Sequence, residues 1–439
     1  MAAAPVIPEI FRRRRAGVLM HLTSVPGPHG VGDLGPASDR FAQWCAEAGL
    51  SLWQMLPIGP VGYGESPYSA TSSFAAEPML VSLERLAEQG LLPKSRLKAP
   101  AALGRGDADF AAARAFKRPR FAEAFENFRR KGGLRGAAFR AFERRTRDWL
   151  PGWCRFAAAK EGGPRELHAF VQFQFERQWG SFRERCHALG VRLVGDLPIF
   201  VTLDSADVAD RPELFRLERN GRPKVVTGVP PDCFSADGQL WGHPHYAWAA
   251  HRREGFRWWM RRVATALERF DALRIDHFVG FVHAYEIPGT AKTARRGRWA
   301  PTPGRELLTA IERRLGRLTE TTERGEIGDG EIGQDLAIDL DAGSVETGDE
   351  PAVADVVQTA RGVDALNPEA TELALLGATV AERVLTGLHH LLVGGADGTA
   401  LVAVVTLGAL ENLTAALLGV DCTLDSCHDW LPSLSFVQS

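Results

Sequence analysis

VRLVGDLPIF, residues 191–200, is an apolar run that carries a glycine and then a carboxylate, Asp196. A short apolar run bounded by turn residues reads as a buried strand. The pattern returns in ALRIDHF, residues 272–278, where Asp276 closes the run. Side chains two apart on a strand share a face, so Arg274 and Asp276 point the same way. Working outward, 17–22 (GVLMHL) and 51–57 (SLWQMLP) are further short strands, and 36–49 between them has helical spacing in Phe41, Trp44, Cys45 and Ala48, with Gly49 as its stop. Helices are predicted over 166–189, 252–270 and 304–316, and a Phe-rich helical stretch over about 80–190. In that stretch Phe110, Phe116, Phe121, Phe125 and Phe128 read as packing. Asn220-Gly221 between alternating runs predicts a hairpin with a type I′ turn over 214–226.

Helices lying between strands imply a parallel sheet. The size suits an α/β (β/α)8 TIM-like barrel with inserted helical subdomains and an atypical C-terminal part. A doubly wound sheet is the alternative, but no Gly-rich phosphate turn follows any strand. The expected division is a barrel over 1–317, with a helical insertion at about 80–190 and a hairpin insertion at about 210–230, followed by a divergent acidic segment over 318–439.

Composition sets the class. Of 439 residues, 45% are hydrophobic and 24% charged, with a net charge of −2, which gives no reason to expect nucleic acid or an acidic membrane as partner. No run approaches the ~20 apolar residues of a membrane span. The six cysteines form no CxxC set, so neither zinc nor a disulfide framework is expected, and a reducing cytoplasm is the simplest location. The charge is unevenly placed. Through Arg317 there are 49 Lys+Arg against 33 Asp+Glu, and from Leu318 onward 3 against 21. Aromatic residues also thin out, since only Trp430 and Phe436 follow Trp299.

A carboxylate at a strand's C-terminal end faces the mouth of a barrel. A guanidinium beside it favours its charged form, and a charged carboxylate there suits a nucleophile. The Arg274–Asp276 pair can equally be two charges satisfying each other, and Asp196 can be a turn or cap residue. His277 beside Asp276, and the recurrence of the carboxylate at Asp196, favour function. Two loops, 61–75 and 232–248, supply Tyr68, Gln239 and Trp241, the mix of aromatic and amide groups that sugar sites use. A Trp in such a loop is more often only a plug over the core, which makes sugar binding the minority reading on the residues alone.

Read together, GVLMHLTSVPGPHGVGDLG (17–35), SLWQMLPIGPVGYGESPYSATSSFA (51–75), GDLPIFV (195–201), VVTGVPPDCFSADGQLWGHPHY (225–246), RIDHFVGF (274–281) and GRWAPTPGREL (297–307) resemble the amylomaltase family, glycoside hydrolase family 77, over about 16–317. The resemblance implies transfer of an α-1,4-glucan segment to the 4-hydroxyl of another glucan or glucose by a retaining double displacement. No metal or organic cofactor is implied, and the partners are maltooligosaccharides and α-1,4-glucans. It places the nucleophile on Asp276 and sugar-gripping groups on Tyr68, Asp196, Gln239, Trp241, Arg274 and His277.

The family's acid motif, of the form AEDLG, is absent. An ungapped extension puts the acid on Glu323, within TTERG, while a gapped one puts Gln334 there, and an amide has no proton to donate. A non-catalytic glucan binder or an inactive product is therefore the alternative function. Frameshifted translation or fusion of a foreign segment accounts best for the abrupt loss of arginine and aromatics. If a frameshift is the cause, the coding DNA downstream of codon 317 should yield an AEDLG-like string in another frame, and its absence from both other frames would remove that cause.

Overall fold

A computed structural model describes residues 10, 15–104, 107–233, 235–315 and 336–338. The elements, in chain order, are β1 (Gly17–Leu19), α1 (Pro36–Glu47), β2 (Leu52–Gln54), α2 (Leu83–Glu88), α3 (Phe110–Arg130), α4 (Ala137–Arg145), α5 (Leu150–Glu161), α6 (Arg165–Ala188), β3 (Arg192–Leu197), α7 (Ala206–Asp210), β4 (Val225–Val229), β5 (Gln239–Pro244), α8 (Trp248–Arg253), α9 (Arg257–Arg269), β6 (Ala272–Ile275), β7 (His283–Pro288), β8 (Arg298–Pro301), α10 (Gly304–Leu315) and β9 (Leu336–Ile338).

The strands expected at the two carboxylates lie side by side. One sheet runs β1-β2-β3-β6-β9, and its first four strands are parallel. The fifth departs from the expectation of a parallel sheet, because β9 pairs antiparallel with β6, Arg274 opposite Ala337. Among the described residues the sheet is open, with β1 and β9 as its edges.

Burial explains the helical layer. α6 lies over the sheet with Phe170, Phe175, Trp179, Phe182 and Cys186 buried. The Phe182 ring meets Trp53 of β2 edge-on at 5.5 Å, and Trp179 meets Phe270 at 5.2 Å. Each fully buried ring contributes about 1.5–3 kcal/mol relative to exposure. The Phe stripe of α3 is packing, as its spacing implies: Phe125 and Phe128 stand 5.8 and 5.0 Å from Phe170. Helix stops also fall where glycine allows them. Gly49 and Gly190, just past α1 and α6, have φ of 74° and 78°, a left-handed conformation that costs glycine little.

Three local expectations are corrected. The helix predicted over 252–270 is two helices, α8 and α9, because Gly255 and Phe256 adopt left-handed φ of 63° and 55°, which a right-handed helix cannot continue. The hairpin predicted with a type I′ turn is a three-residue loop. Glu218 N donates to Arg222 O, Gly221 N donates to Glu218 O, and Gly221 (φ 80°) has left-handed backbone whereas Asn220 does not. A type I′ turn needs positive φ at both central residues. Finally, the stretch read as a loop at 232–248 contains β5, part of a second sheet of order β5-β4-β7-β8 with its own small core of Val226, Tyr285, Ile287 and Ala294.

Packing is tight where β3 passes under the α9–β6 junction. A Cβ at Gly195 would lie 2.4 Å from Cδ2 of Phe270, a ring that is itself buried. Gly195→Ala should therefore cost about 1–3 kcal/mol through overpacking, read as a lower denaturant midpoint. An unchanged midpoint would mean that strand and ring can part without penalty.

Candidate active site

Parallel pairing of β3 with β6 sets Asp196 directly beside Arg274. Register partners share a face, and Asp276 is two residues further on the same face. The end of β6 is held level with β3 by Asp276 N donating to Leu197 O at 3.3 Å. Arg274 then forks: Nη1 donates to Asp196 Oδ2 at 3.0 Å and Nη2 to Asp276 Oδ1 at 2.9 Å. Tyr68 closes the group, its hydroxyl donating to Asp196 Oδ2 at 2.6 Å.

The two carboxylates live in different surroundings. The side chain of Asp196 is 1% exposed and that of Asp276 is 37% exposed. Burial raises the Asp196 carboxyl from 3.8 to about 6, opposed by the Tyr68 hydrogen bond and the Arg274 charge and assisted by the Asp276 charge. Oδ1 of Asp196 is buried and meets no donor, and the residue lines a cavity of about 60 Å3 together with Tyr68, Ser73, Phe200 and Arg262. Burial, and then the adjacent Asp196 charge, hold the Tyr68 phenol above its ordinary range, so it remains a donor. Asp196 is thus a buried, paired group and caps neither a turn nor a helix. Of the two, only Asp276 is open enough to meet a reacting atom.

Beside them stands an aromatic wall. Trp241 meets His277 edge-on, with ring centroids 4.8 Å apart, and its indole N–H donates to Gln239 Oε1 at 3.1 Å. Gln239 is exposed and Trp241 half-buried, both on β5. His277 has a left-handed backbone, φ 53°, a conformation for which His is enriched among non-glycine residues. Seven of the eight residues singled out from sequence therefore fall within the described residues. Tyr68, Asp196, Arg274 and Asp276 form one hydrogen-bonded group, while Trp241 joins Gln239 by a hydrogen bond and His277 by a ring contact. The eighth, Glu323, lies outside the described residues, as does Gln334.

Sequence reading passes over Phe200. This buried ring has its centroid 6.4 Å from that of Trp241 and 6.4 Å from that of His277. The available signal is its place in GDLPIFV, one turn beyond Asp196.

Among the described residues one cluster has metal-ligand chemistry, His29, Asp33 and Glu84. Lys117 already serves it as cation: its Nζ donates to Asp33 Oδ2 at 2.6 Å and to the carbonyls of Met79 and Val81, while Asp33 Oδ1 accepts from Gly35 N. Both Asp33 oxygens are taken, which leaves too few donors to hold an ion.

The Tyr68 hydrogen bond favours the charged form of Asp196, so Tyr68→Phe should raise the Asp196 titration further above about 6. Carboxyl-carbon NMR against pH would read the shift, and an unmoved titration would show that the phenol does not tune this group. The sign for stability follows from the raised value. Relative to a carboxyl of ordinary affinity, the group favours folding below its unfolded value of 3.8, and that contribution is lost as pH rises through about 6.

The 4-alpha-glucanotransferase model of glycoside hydrolase family 77 matches residues 20–166 and 160–328. The second segment continues past the 317 limit seen in the motifs and includes Glu323. The two segments meet at the short connection between α5 and α6. The chain is 42% identical over 340 residues to a 4-alpha-glucanotransferase of Thermus thermophilus, covering 71% of this chain and 67% of the relative. It is 40% identical over 328 residues to that of Aquifex aeolicus, covering 68% and 66%. It thus spans about two thirds of the length of these relatives. Among solved structures, the amylomaltase from Streptococcus agalactiae in complex with acarbose is 32% identical with a TM-score of 0.63, over 69% of this chain and 67% of that one. The amylomaltase from Corynebacterium glutamicum, 19% identical with a TM-score of 0.59 over 70% and 47%, shares the fold. With its Arg-bridged carboxylates on motifs of that family, and with matches running through most of its described length, this chain belongs to the 4-alpha-glucanotransferases of glycoside hydrolase family 77.

Proposed function

We propose that the protein transfers α-1,4-glucan segments to the 4-hydroxyl of an acceptor glucan or glucose, with Asp276 as nucleophile. The observation that carries this reading is the Arg274 fork, which holds an accessible carboxylate beside a sealed one at the ends of two adjacent parallel strands. A nucleophile needs access and a fixed direction, and Asp276 has both. In the reading, an Asp276 oxygen attacks the anomeric carbon, the glycosidic bond breaks, and the leaving oxygen takes a proton from an acid. The same acid, as a base, then deprotonates the acceptor hydroxyl that displaces Asp276. In retaining enzymes of this kind the two carboxyl groups lie ~5–5.5 Å apart. The family resemblance assigns the acid to Glu323.

The other groups fit sugar recognition. Asp196, sealed behind them, would act by holding Tyr68 and Arg274 in place for the sugar. Trp241 would lie against an apolar sugar face, while Gln239 and His277 would hydrogen-bond hydroxyl edges. Acarbose is bound by the Streptococcus agalactiae relative, and maltooligosaccharides are the corresponding substrate class here. The parallel strands are read as the first part of a (β/α)8 barrel, with residues 1–317 as its body and 318–439 as a divergent acidic segment. Among the described residues no helix is long and apolar enough to cross a membrane.

Incubation with maltotriose should yield glucose together with longer maltooligosaccharides, and Asp276→Asn should abolish both. Glucose and maltose alone would make the protein a hydrolase. Saturable sugar binding with no product at any protein concentration would make it a binder and sink the proposal.

A further inference from the structure

Phe200 touches both aromatic groups of the site, so whatever fixes Phe200 also fixes them. The chain from Pro198 to Phe200 is an irregular turn beyond β3, without ladder hydrogen bonds of its own. Its carbonyls are instead gathered by one buried side chain. Arg262 of α9 is 2% exposed. Its Nη1 donates to Ile199 O at 3.0 Å, and its Nη2 donates to Pro198 O. Tyr246 adds a second donor to Ile199 O, its hydroxyl at 2.7 Å. The guanidinium lies 5.4 Å from the ring centroid of Trp258 and 5.0 Å from that of Trp259. Its nearby counter-charge is Asp207, which is itself held by Ser73 N at 2.8 Å and the Trp258 indole N–H at 3.2 Å.

A guanidinium buried in this way is costly unless its position is put to use, since a desolvated cation must be met by hydrogen bonds and opposite charge. Here two of its donors are spent on consecutive carbonyls of a single turn. A fork that grips two successive carbonyls fixes the direction of the chain as well as its place. The residue that follows those carbonyls is Phe200, whose ring stands against Trp241 and His277. On the other side of that contact the fit is close too, since a Cβ at Gly280 would come 2.7 Å from Ile199 Cδ1 and 3.1 Å from His277 Cδ2.

We propose that Arg262 and Phe200 are positioning residues. Arg262 clamps the Pro198–Ile199 carbonyls, and Phe200, aimed by that clamp, sets Trp241 and His277 relative to Asp276. The clamp acts through the turn and touches no substrate. Its catalytic consequence rests on the glucan-transfer reading above, whereas its structural part does not.

Two measurements separate these. Hydrogen exchange of the Leu197, Ile199, Phe200 and Val201 amides should accelerate in Arg262→Met, in protein that still unfolds cooperatively, with less change in β1 and β2. Unchanged exchange there would overturn the clamp whether or not the protein is active. With maltotriose, Phe200→Leu and Arg262→Met should each lower kcat/KM about 10- to 100-fold, the scale of an ångström-level misplacement. Arg262→Lys, which can still donate to one carbonyl, should retain more. Because both residues act through one turn, the double variant Phe200→Leu/Arg262→Met should lose little more than the worse single variant. Losses that multiply, or full activity in a folded Phe200→Leu protein, would overturn the positioning role. A wild-type protein silent on maltotriose would refute the transfer reading alone, and the exchange result would still decide the clamp.

Discussion

The site depends on one cation between two anions. Asp196 and Asp276 approach one another at the ends of neighbouring strands, and without Arg274 their repulsion would favour protonation of one or separation of both. The guanidinium resolves this because it is planar and forked, so one nitrogen can face each carboxylate at 3.0 and 2.9 Å. Strand register makes the arrangement possible. Asp196 and Arg274 are direct partners in a parallel pair, so a slip of one residue would turn Arg274 to the opposite face. The sheet therefore does more than support the site, since its pairing assembles it.

Division of labour between the carboxylates follows from burial. Asp196 is enclosed by Tyr68, Arg274 and the cavity behind it, and its affinity for a proton rises accordingly. Asp276 stands beyond the end of β6, where the chain turns through the left-handed His277 and leaves its carboxylate partly open. The two residues have the same chemistry and a shared arginine, and they differ because one lies within its strand and the other just past the end of its own.

Much of this was legible in the sequence because it is local. The carboxylates closing VRLVGD and ALRID, and the two-residue offset of Arg274 from Asp276, follow from strand geometry alone. Helix ends at Gly49 and Gly190 follow from glycine's freedom. What escaped depends on contacts distant in sequence. The second sheet brings 225–229 and 239–244 against 283–288 and 298–301, and no periodicity in any one segment announces that pairing. The break between α8 and α9 hides in an Arg- and Trp-rich run whose spacing suits a continuous helix. Phe200 and Arg262 escaped for the same reason, since only the fold brings the α9 guanidinium against the turn that carries Phe200.

The backbone at His277 has an evolutionary consequence. Its φ of 53° lies where β-branched side chains are strained and where Gly, Asn, Asp and His are tolerated. Drift at this position is filtered first by the main chain, before any ligand has a say. A replacement for His277 must therefore suit the left-handed main chain and the edge-on contact with Trp241 at once.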